Sequence, residues 1–470
     1  MARSPYIQSS TTATQHSQQG AAFIVMLIIL VLGITTFFVS GLSTASLQNA
    51  QDKVTAEAMA QAKEALIGYA IKVQISNSNG CIPNCPRPGD LPCPDTNNDG
   101  LQESSCGNAS GSTGQSSRIG RLPWKTLGLP DLRDGNGERL WYAVSNNFKY
   151  NTRSTTLLNG DTPGTISLYA SNGELLNDGG AAGTGVAAVI IAPGSPLSRQ
   201  DSGNLQDRST ANENNPVNYL DYASLGGNNH DNASFLDGSS SDGFIAGRIR
   251  LYDPATKSDF VAVNDQILPI TTDSLLVGIQ RRVAMEVKNC LIDYADNNLD
   301  RYPWATPLSD TGSTYNDNSD EMFGRIPDDF SDTYNDSSGN MDSQWGNCNT
   351  HNNNTPAGWW LNWREQVFYG LARRYRPNDT TASSFPAACD SIGRCLYIND
   401  TSTPARFVVI VAGKKLISPD QTDRNSNKGN AFYYLEGGNQ NADPAPPSDV
   451  SNLFTMMPSN ASFNDVLVYQ

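Results

Sequence analysis

The stretch Cys93–Glu103, CPDTNNDGLQE, sets side-chain oxygens on Asp95, Asn97 and Asp99, at alternate positions of one short segment. Gly100 follows, suited to a sharp turn, and then come the Leu101 carbonyl and the Glu103 carboxylate. Hard oxygen donors at this spacing form the first half of an EF-hand-type loop and suit Ca2+. The bidentate Glu expected at the twelfth position is missing, because Cys106 stands there. A metal-free Asx turn held by a neighbouring disulfide uses the same residues, so both readings stand. The acidic runs Tyr315–Glu321 and Asp328–Asp342 read as solvated loops rather than cation sites.

The chain has 8 cysteines: Cys81, Cys85, Cys93 and Cys106, then Cys290, Cys348, Cys389 and Cys395. An even number in a loop-rich chain points to disulfides and an oxidising compartment. Cys93–Cys106 and Cys389–Cys395 are the expected local bridges, since each would close a short polar loop. Zinc is the weaker alternative: there is no Cys-x-x-Cys pair, and only His16, His230 and His351 could add nitrogen ligands.

Catalytic patterns are missing. The sequence has no Gly-x-Ser-x-Gly elbow, phosphate loop or dinucleotide fingerprint, and a non-enzymatic protein is expected. Trp304, Trp345, Trp359, Trp360 and Trp363 concentrate in the C-terminal half. Buried, they are core; exposed, Gly358–Trp363 would contact a sugar or a protein, and core is the favoured reading. With 32 Lys+Arg against 47 Asp+Glu, the net charge is −15. That balance excludes nucleic acid as a partner, because its affinity depends on neutralised phosphates.

The elements that must position these residues begin with a helix. Ala21–Val39 is apolar or small apart from Thr35 and Thr36. At about 1.5 Å per residue it approaches the ~30 Å hydrocarbon layer. A removed signal peptide cut near Ser43-Thr44-Ala45 is the alternative. The sequence then runs without proline into QDKVTAEAMAQAKEALIGYAIKV, where Val54, Ala58, Ala62, Ala65, Leu66, Tyr69 and Val73 recur at helical spacing. One long helix is expected, apolar in its first part and amphipathic in its second.

The segment QQGAAFIVMLIILVLG resembles the N-terminus of the type IV pilin and pseudopilin class. The resemblance implies cleavage between Gly20 and Ala21 by a prepilin peptidase, methylation of the new amine on Ala21, and assembly through the helix bearing Phe23, Val25 and Leu27. It also implies an inner-membrane, single-pass precursor with a cytoplasmic N-terminus, and heads that are periplasmic or on a surface filament. Shaft-forming members of the class carry Glu at the fifth mature position, where this chain has Val25. A buried carboxylate requires a partner charge; a chain without it suits a minor or tip subunit of a type IV pilus or a type II secretion pseudopilus.

A duplication stands independently of that resemblance. Ala62–Ala70 (AKEALIGYA) returns as Val287–Ala295 (VKNCLIDYA), and Ile119–Trp124 returns as Phe323–Asp328. Gly137–Ser145 answers Arg364–Ala372, and Val186–Gly194 answers Ala405–Gly413. Leu225–Ala233 answers Glu436–Pro444, and Asn264–Ile270 answers Asn464–Gln470. Six matches in one order predict two tandem α+β copies. In the second copy, Asp296–Asp310 has Arg301 where the calcium loop needs glycine, so that site is expected to be lost there.

The expected fold is α+β: a long N-terminal transmembrane and amphipathic helix carrying two tandem pilin-like helix-plus-antiparallel-sheet units. The boundaries are a leader over 1–20, the helix over 21–75 with its membrane span at 21–39, a first head over 76–271 packed on 53–75, and a second over 272–470. Other pilin or pseudopilin subunits, the prepilin peptidase and the inner membrane are the expected partners. The alternative function is a membrane-tethered periplasmic binding protein, calcium-dependent or not, that never polymerises; an envelope hydrolase is a third.

Overall fold

Alanines and Leu66 four residues apart put small side chains on one stripe of a helix, which lets a sheet approach closely. In the computed structural model, helix α1 spans Gln19–Lys72 and buries Ala58, Ala62, Leu66 and Ala70 on that stripe. The structure describes residues 19–73, 86–107, 118–149, 157–180, 182–296, 298–309, 321–327, 359–377, 396–400, 402, 404–417, 420–441 and 453–470. The chain divides into Met1–Val54 and a compact unit, Thr55–Gln470, so α1 belongs to the first through Val54 and to the second from Thr55.

Among the described residues, the first half of the compact unit has eleven strands, of which four make the main sheet. They are β1 (Ile119–Arg121), β2 (Trp141–Val144), β3 (Leu168–Tyr169), β4 (Leu175–Asn177), β5 (Ala188–Ala192), β6 (Tyr222–Leu225), β7 (Asn228–Asp231), β8 (Phe244–Ile245), β9 (Ile249–Asp253), β10 (Ser258–Val263) and β11 (Gln266–Ile270). The main sheet runs β1-β2-β5-β11 and is antiparallel throughout. Three smaller sheets, β4-β3-β8, β6-β7 and β10-β9, accompany it.

Helix α2 (Thr272–Asp296) opens the second half with Asp273 in its first turn, where the helix dipole favours an acid. Its apolar stripe at helical spacing, Leu276, Ile279, Val283, Val287, Leu291 and Tyr294, is buried. The strands β12 (Phe323–Arg325), β13 (Val367–Leu371), β14 (Leu396–Ile398), β15 (Pro404–Ala405), β16 (Phe407–Val411), β17 (Leu453–Phe454) and β18 (Val466–Tyr469) follow. The second main sheet, β12-β13-β16-β18, repeats the order and antiparallel sense of the first.

The register repeats as well. Gly120 pairs with Tyr142, which pairs with Ile190, which pairs with Leu268. Gly324 pairs with Tyr369, then Val409, then Val468. In each half the glycine lets another chain segment press against the strand: a Cβ on Gly120 would lie 2.6 Å from the Asp95 carbonyl, and one on Gly324 would strike the Thr306 carbonyl. A matched lysine fastens the last strand to the helix. Lys63 Nζ donates to the Pro269 carbonyl at 3.0 Å, and Lys288 Nζ to the Tyr469 carbonyl at 2.7 Å.

Strand alternation divides the first sheet between two cores. Tyr142, Val144, Ala188 and Ile190 face the helices, whereas Trp141, Ala143, Val189 and Ile191 face a layer built from Ile166, Leu220, Phe235 and Phe244. The helix-side core is common to both halves: Ala58–Ala70, α2 and the β13 and β16 side chains belong to one cluster. Each large aliphatic side chain buried there contributes roughly 1.5–3 kcal/mol. Ile71 of α1 lies against Gly278 of α2, where a Cβ would collide with its Cδ1.

Polar contacts join the halves too. Asn362 Oδ1 accepts from the Leu158 amide at 2.8 Å and from Arg87 Nη1 at 2.9 Å. The Gly160 amide donates to Gln366 Oε1 at 2.9 Å. Asp161 receives Gln366 Nε2 at 3.0 Å, the Lys415 amide at 2.9 Å and Arg424 Nη1 at 3.1 Å.

Two expectations are corrected here. Among the described residues, no helix is long and apolar enough to cross a membrane, which argues against the single-pass inner-membrane anchor at Ala21–Val39. The expected fold of a long transmembrane and amphipathic helix with two tandem pilin-like helix-plus-antiparallel-sheet units is likewise replaced by a mixed α+β arrangement with many small antiparallel sheets. The helix-side core, which takes in residues of both halves, joins them, while the first half keeps further cores of its own.

Candidate functional site

The loop after Pro94 is anchored to β1 by a reciprocal bridge. The Asp95 amide donates to the Arg121 carbonyl at 3.0 Å, and the Arg121 amide returns to the Asp95 carbonyl at 2.7 Å. Asp95 is buried, and its Oδ1 accepts the Asn97 and Asp99 amides at 3.2 and 3.3 Å. Its Oδ2 accepts the Gly100 amide at 2.7 Å. Asn97 Oδ1 takes the Asp99 amide at 3.0 Å, and Asp99 Oδ1 takes the Leu101 amide at 2.7 Å. Asn98 and Gly100 have φ of 64° and 87°. A side chain at Gly100 would also lie 2.8 Å from the Trp124 indole, so glycine is required twice over. The Cys93–Cys106 disulfide closes the segment.

These turns match a cation-binding loop in backbone shape, but the donors are engaged elsewhere. Glu103 Oε1 accepts the Thr96 hydroxyl at 2.8 Å and the Thr96 amide at 3.2 Å. Lys125 Nζ donates to the Asp99 carbonyl, and Arg139 Nη1 to Asn98 Oδ1 at 2.7 Å. Burial, with the charge of Asp99 adding to it, raises the Asp95 carboxyl pKa. Among the described residues no group of three His, Cys, Asp or Glu side chains is placed to hold a metal. The carboxylate and amide oxygens of the loop are bonded by its own amides and by neighbouring side chains, in the pattern of an Asx turn.

The counterpart of Asp95 in the second half is Thr306, which makes the same reciprocal bridge to Arg325 at 3.0 and 2.8 Å. The loop is therefore lost through Thr306, and the expected comparison centred on Arg301 is out of register. Leu225–Ala233 against Glu436–Pro444 is also displaced. The residue matching Glu436 in its bonds is Asp221, and the paired glycines that suggested the alignment are coincidental.

That displacement hid the most regular polar feature of the chain. The Asp221 amide donates to Asp265 Oδ2 at 2.8 Å, while the Asp265 and Asn264 amides donate to Asp221 Oδ2 at 3.2 and 2.7 Å. In the second half the Glu436 amide donates to Asp465 Oδ2 at 2.9 Å, and the Asp465 and Asn464 amides donate to Glu436 Oε2 at 3.1 and 3.0 Å. Asn232 Nδ2 and Asn439 Nδ2 reach the two aspartates at 2.9 Å each. Gln206 Nε2 meets Asp221 at 3.0 Å, and Gln421 Nε2 meets Glu436 at 2.6 Å. Behind each glutamine stands an arginine, Arg208 Nη2 at 2.9 Å and Arg424 Nη2 at 2.6 Å. The sequence signal was the Asn-Asp pair opening both last strands.

Two arginines are repeated in the same way. Arg121 lies 4.2 Å from the Trp141 ring and 4.0 Å from the Tyr219 ring; Arg325 lies 4.0 Å from Phe368 and 4.7 Å from Tyr434. Burial pulls both pKa values down to about 10. Their guanidinium groups end on backbone carbonyls, those of Arg139 and Glu213 for Arg121, and those of Glu365 and Lys428 for Arg325.

Other expected residues are scattered. Gly20, Ala21, Phe23, Val25 and Leu27 lie in α1; of their side chains only Leu27 is described, and it is exposed. Cys290 is disulfide-bonded. Cys81, Cys85, Cys348, Cys389, Cys395, His16, His351 and Trp345 lie outside the described residues. Trp304, Trp359, Trp360 and Trp363 are buried. His230 is buried with its ring 4.5 Å from Tyr169; burial lowers its pKa, and neither ring nitrogen has a hydrogen-bond partner. A neutral imidazole enclosed in this way has no access to a substrate.

Beside α1 a groove of about 1010 Å³ runs between Glu64, Gly68 and Tyr69 on the helix and Gln102, Leu127 and Leu129 opposite. Tyr69 reaches Gln102 Oε1 at 3.4 Å. No protein-family model, curated protein or solved structure matches this chain.

Proposed function

We propose that the chain is a non-enzymatic, pilin-like minor or tip subunit of a type IV pilus or secretion pseudopilus. The observation that carries the reading is α1, one helix from Gln19 to Lys72 that exposes Met26, Leu27, Ile28, Ile29 and Leu30 in its early part and is core in its late part. Apolar side chains in a contiguous run call for a covering surface, and sister helices in a filament provide one. The leader ending at Gly20 and the absence of Glu at Val25 agree with a minor rather than a repeating subunit. Prepilin peptidase and other pilin-class subunits are the proposed partners, and a surface filament the proposed location.

Shearing surface filaments and sequencing the N-terminus of the recovered protein tests this. Cleavage before Ala21 is expected, and Gly20→Ala should block it and remove the protein from the sheared fraction. Leu27→Asp should also remove it while leaving the far-ultraviolet circular dichroism of the compact unit unchanged. Recovery of wild type only with Met1 intact, and never in filaments, ends the proposal. The groove beside α1 is what favours the second reading, a periplasmic binding protein that does not polymerise; it predicts full function without Ala21 processing.

A further inference from the structure

Each main sheet closes on a strand that begins immediately after a buried aspartate, Asp265 before β11 and Asp465 before β18. Each aspartate faces a second buried acid, and the two residues of a pair bond each other's carboxyl through their own backbone amides. This reciprocal arrangement holds the strand start against the segment ending at Leu220-Asp221 or Leu435-Glu436.

Two ionised acids cannot share such a place without a cation. The charged groups around the first pair are Arg208, with Glu138 beyond it, and Arg199, whose Nη1 donates to the Leu220 carbonyl at 2.6 Å while Asp201 at 2.8 Å and Asp231 at 3.0 Å hold its Nη2. Arg208 makes its hydrogen bond to Gln206 rather than to the pair, with Glu138 at 3.3 Å and the Gly194 carbonyl at 2.6 Å holding its other nitrogen, and its charge lowers both aspartates by less than burial raises them. Around the second pair stand Arg424, with Asp161 and Arg325 beyond it. Arg424 is held by Asp161 at 3.1 Å and the Gly413 carbonyl at 2.8 Å, and touches the pair only through Gln421. Uncharged Asn232, Asn264, Asn439 and Asn464 complete both surrounds. The Oδ1 atoms of Asp265 and Asp465 are buried and have no hydrogen-bond partner. A buried carboxylate with an unsolvated oxygen is costly, and one proton removes the charge.

We propose that Asp221 with Asp265, and Glu436 with Asp465, are two copies of one proton-held latch, each keeping the last strand of its sheet seated, so that the Thr55–Gln470 unit loosens at β11 and β18 when the protons leave. Burial first, and the neighbouring acid second, push Asp265 and Asp465 well above the usual carboxylate range; burial raises Asp221 to about 6. A pKa raised on folding means the folded state holds more protons than the unfolded chain. The contribution is full below the unfolded value of about 4 and is lost as pH rises through about 6 and beyond. This device is independent of filament assembly.

The test is equilibrium denaturation of the full chain between about pH 5 and about pH 8. For each proton released on unfolding, the folding constant should fall about tenfold per pH unit. Asp265→Asn should remove part of that slope, and the double variant with Asp465→Asn most of it, leaving the double variant more stable than wild type at the alkaline end. In wild type the infrared band of a protonated carboxyl should persist at neutral pH and shrink in each single variant. An unchanged slope in the double variant overturns the proposal. Should the variants not fold, a wild-type spectrum without a protonated-carboxyl band at neutral pH overturns it equally.

Discussion

Asp161 and Arg424 form an ion pair at 3.1 Å although 263 residues separate them, and the arginine side chain is 2% exposed. The pair brings a loop of the first half into the polar interior of the second, and with Asn362 and Gln366 it makes the two halves one folding unit. Asp161→Ala should leave the Arg424 charge short of its carboxylate and cost about 2–4 kcal/mol in urea denaturation. Asp161→Asn should cost less, since its oxygen still accepts the Lys415 amide. A single transition is expected for Thr55–Gln470; two separate transitions would show that the halves fold independently.

Glycine in the Gly-Arg step of β1 and β12 is required by contact rather than by dihedral angle. Gly120→Ala and Gly324→Ala should each cost about 1–3 kcal/mol, because the new methyl meets a backbone carbonyl that cannot step aside. Gly68→Ala in α1 is the control. A Cβ there meets nothing within 4 Å, and alanine should stabilise the helix by about 0.5–1 kcal/mol. Thermal melts of the three variants check both signs.

Replacing both Cys93 and Cys106 by serine should lower stability by about 2–3 kcal/mol, as expected for releasing a loop of 13 residues' separation. The Asp95 turns lie inside that loop. Amide exchange at Asp99 and Gly100 should therefore accelerate in the double variant, while exchange at Ile190 in β5 stays near wild type.

Calcium should leave the melting temperature unchanged. Asp95 already accepts three backbone amides, Glu103 is bonded to Thr96, and Lys125 occupies the Asp99 carbonyl. Binding at a hundred times Kd would add about 2.7 kcal/mol, which a melt resolves easily. A rise that Asp95→Asn abolishes would assign the loop to the metal after all.

Much of this architecture could be read from local pattern. The stripe Leu276–Tyr294 lies at helical spacing because burial of one face dictates it, and the β-branched run Phe407–Val411 forms strand β16. The Asp95 turns were legible for the same reason: their bonds are local. The latch pairs were not, since Asp221 and Asp265 are 44 residues apart and nothing in either neighbourhood names the other. The double glycine at Gly226-Gly227 and Gly437-Gly438 misled the alignment, being a feature any loop can share.

The lysines at matching places, Lys63 on Pro269 and Lys288 on Tyr469, tie each helix to the final strand beside it. With Ile71 seated against Gly278 and both helices in one core, a tension applied along α1 reaches the second sheet as well as the first. Each helix therefore has its own tie to the strand that closes the sheet beside it, and the packing of Ile71 on Gly278 couples the two.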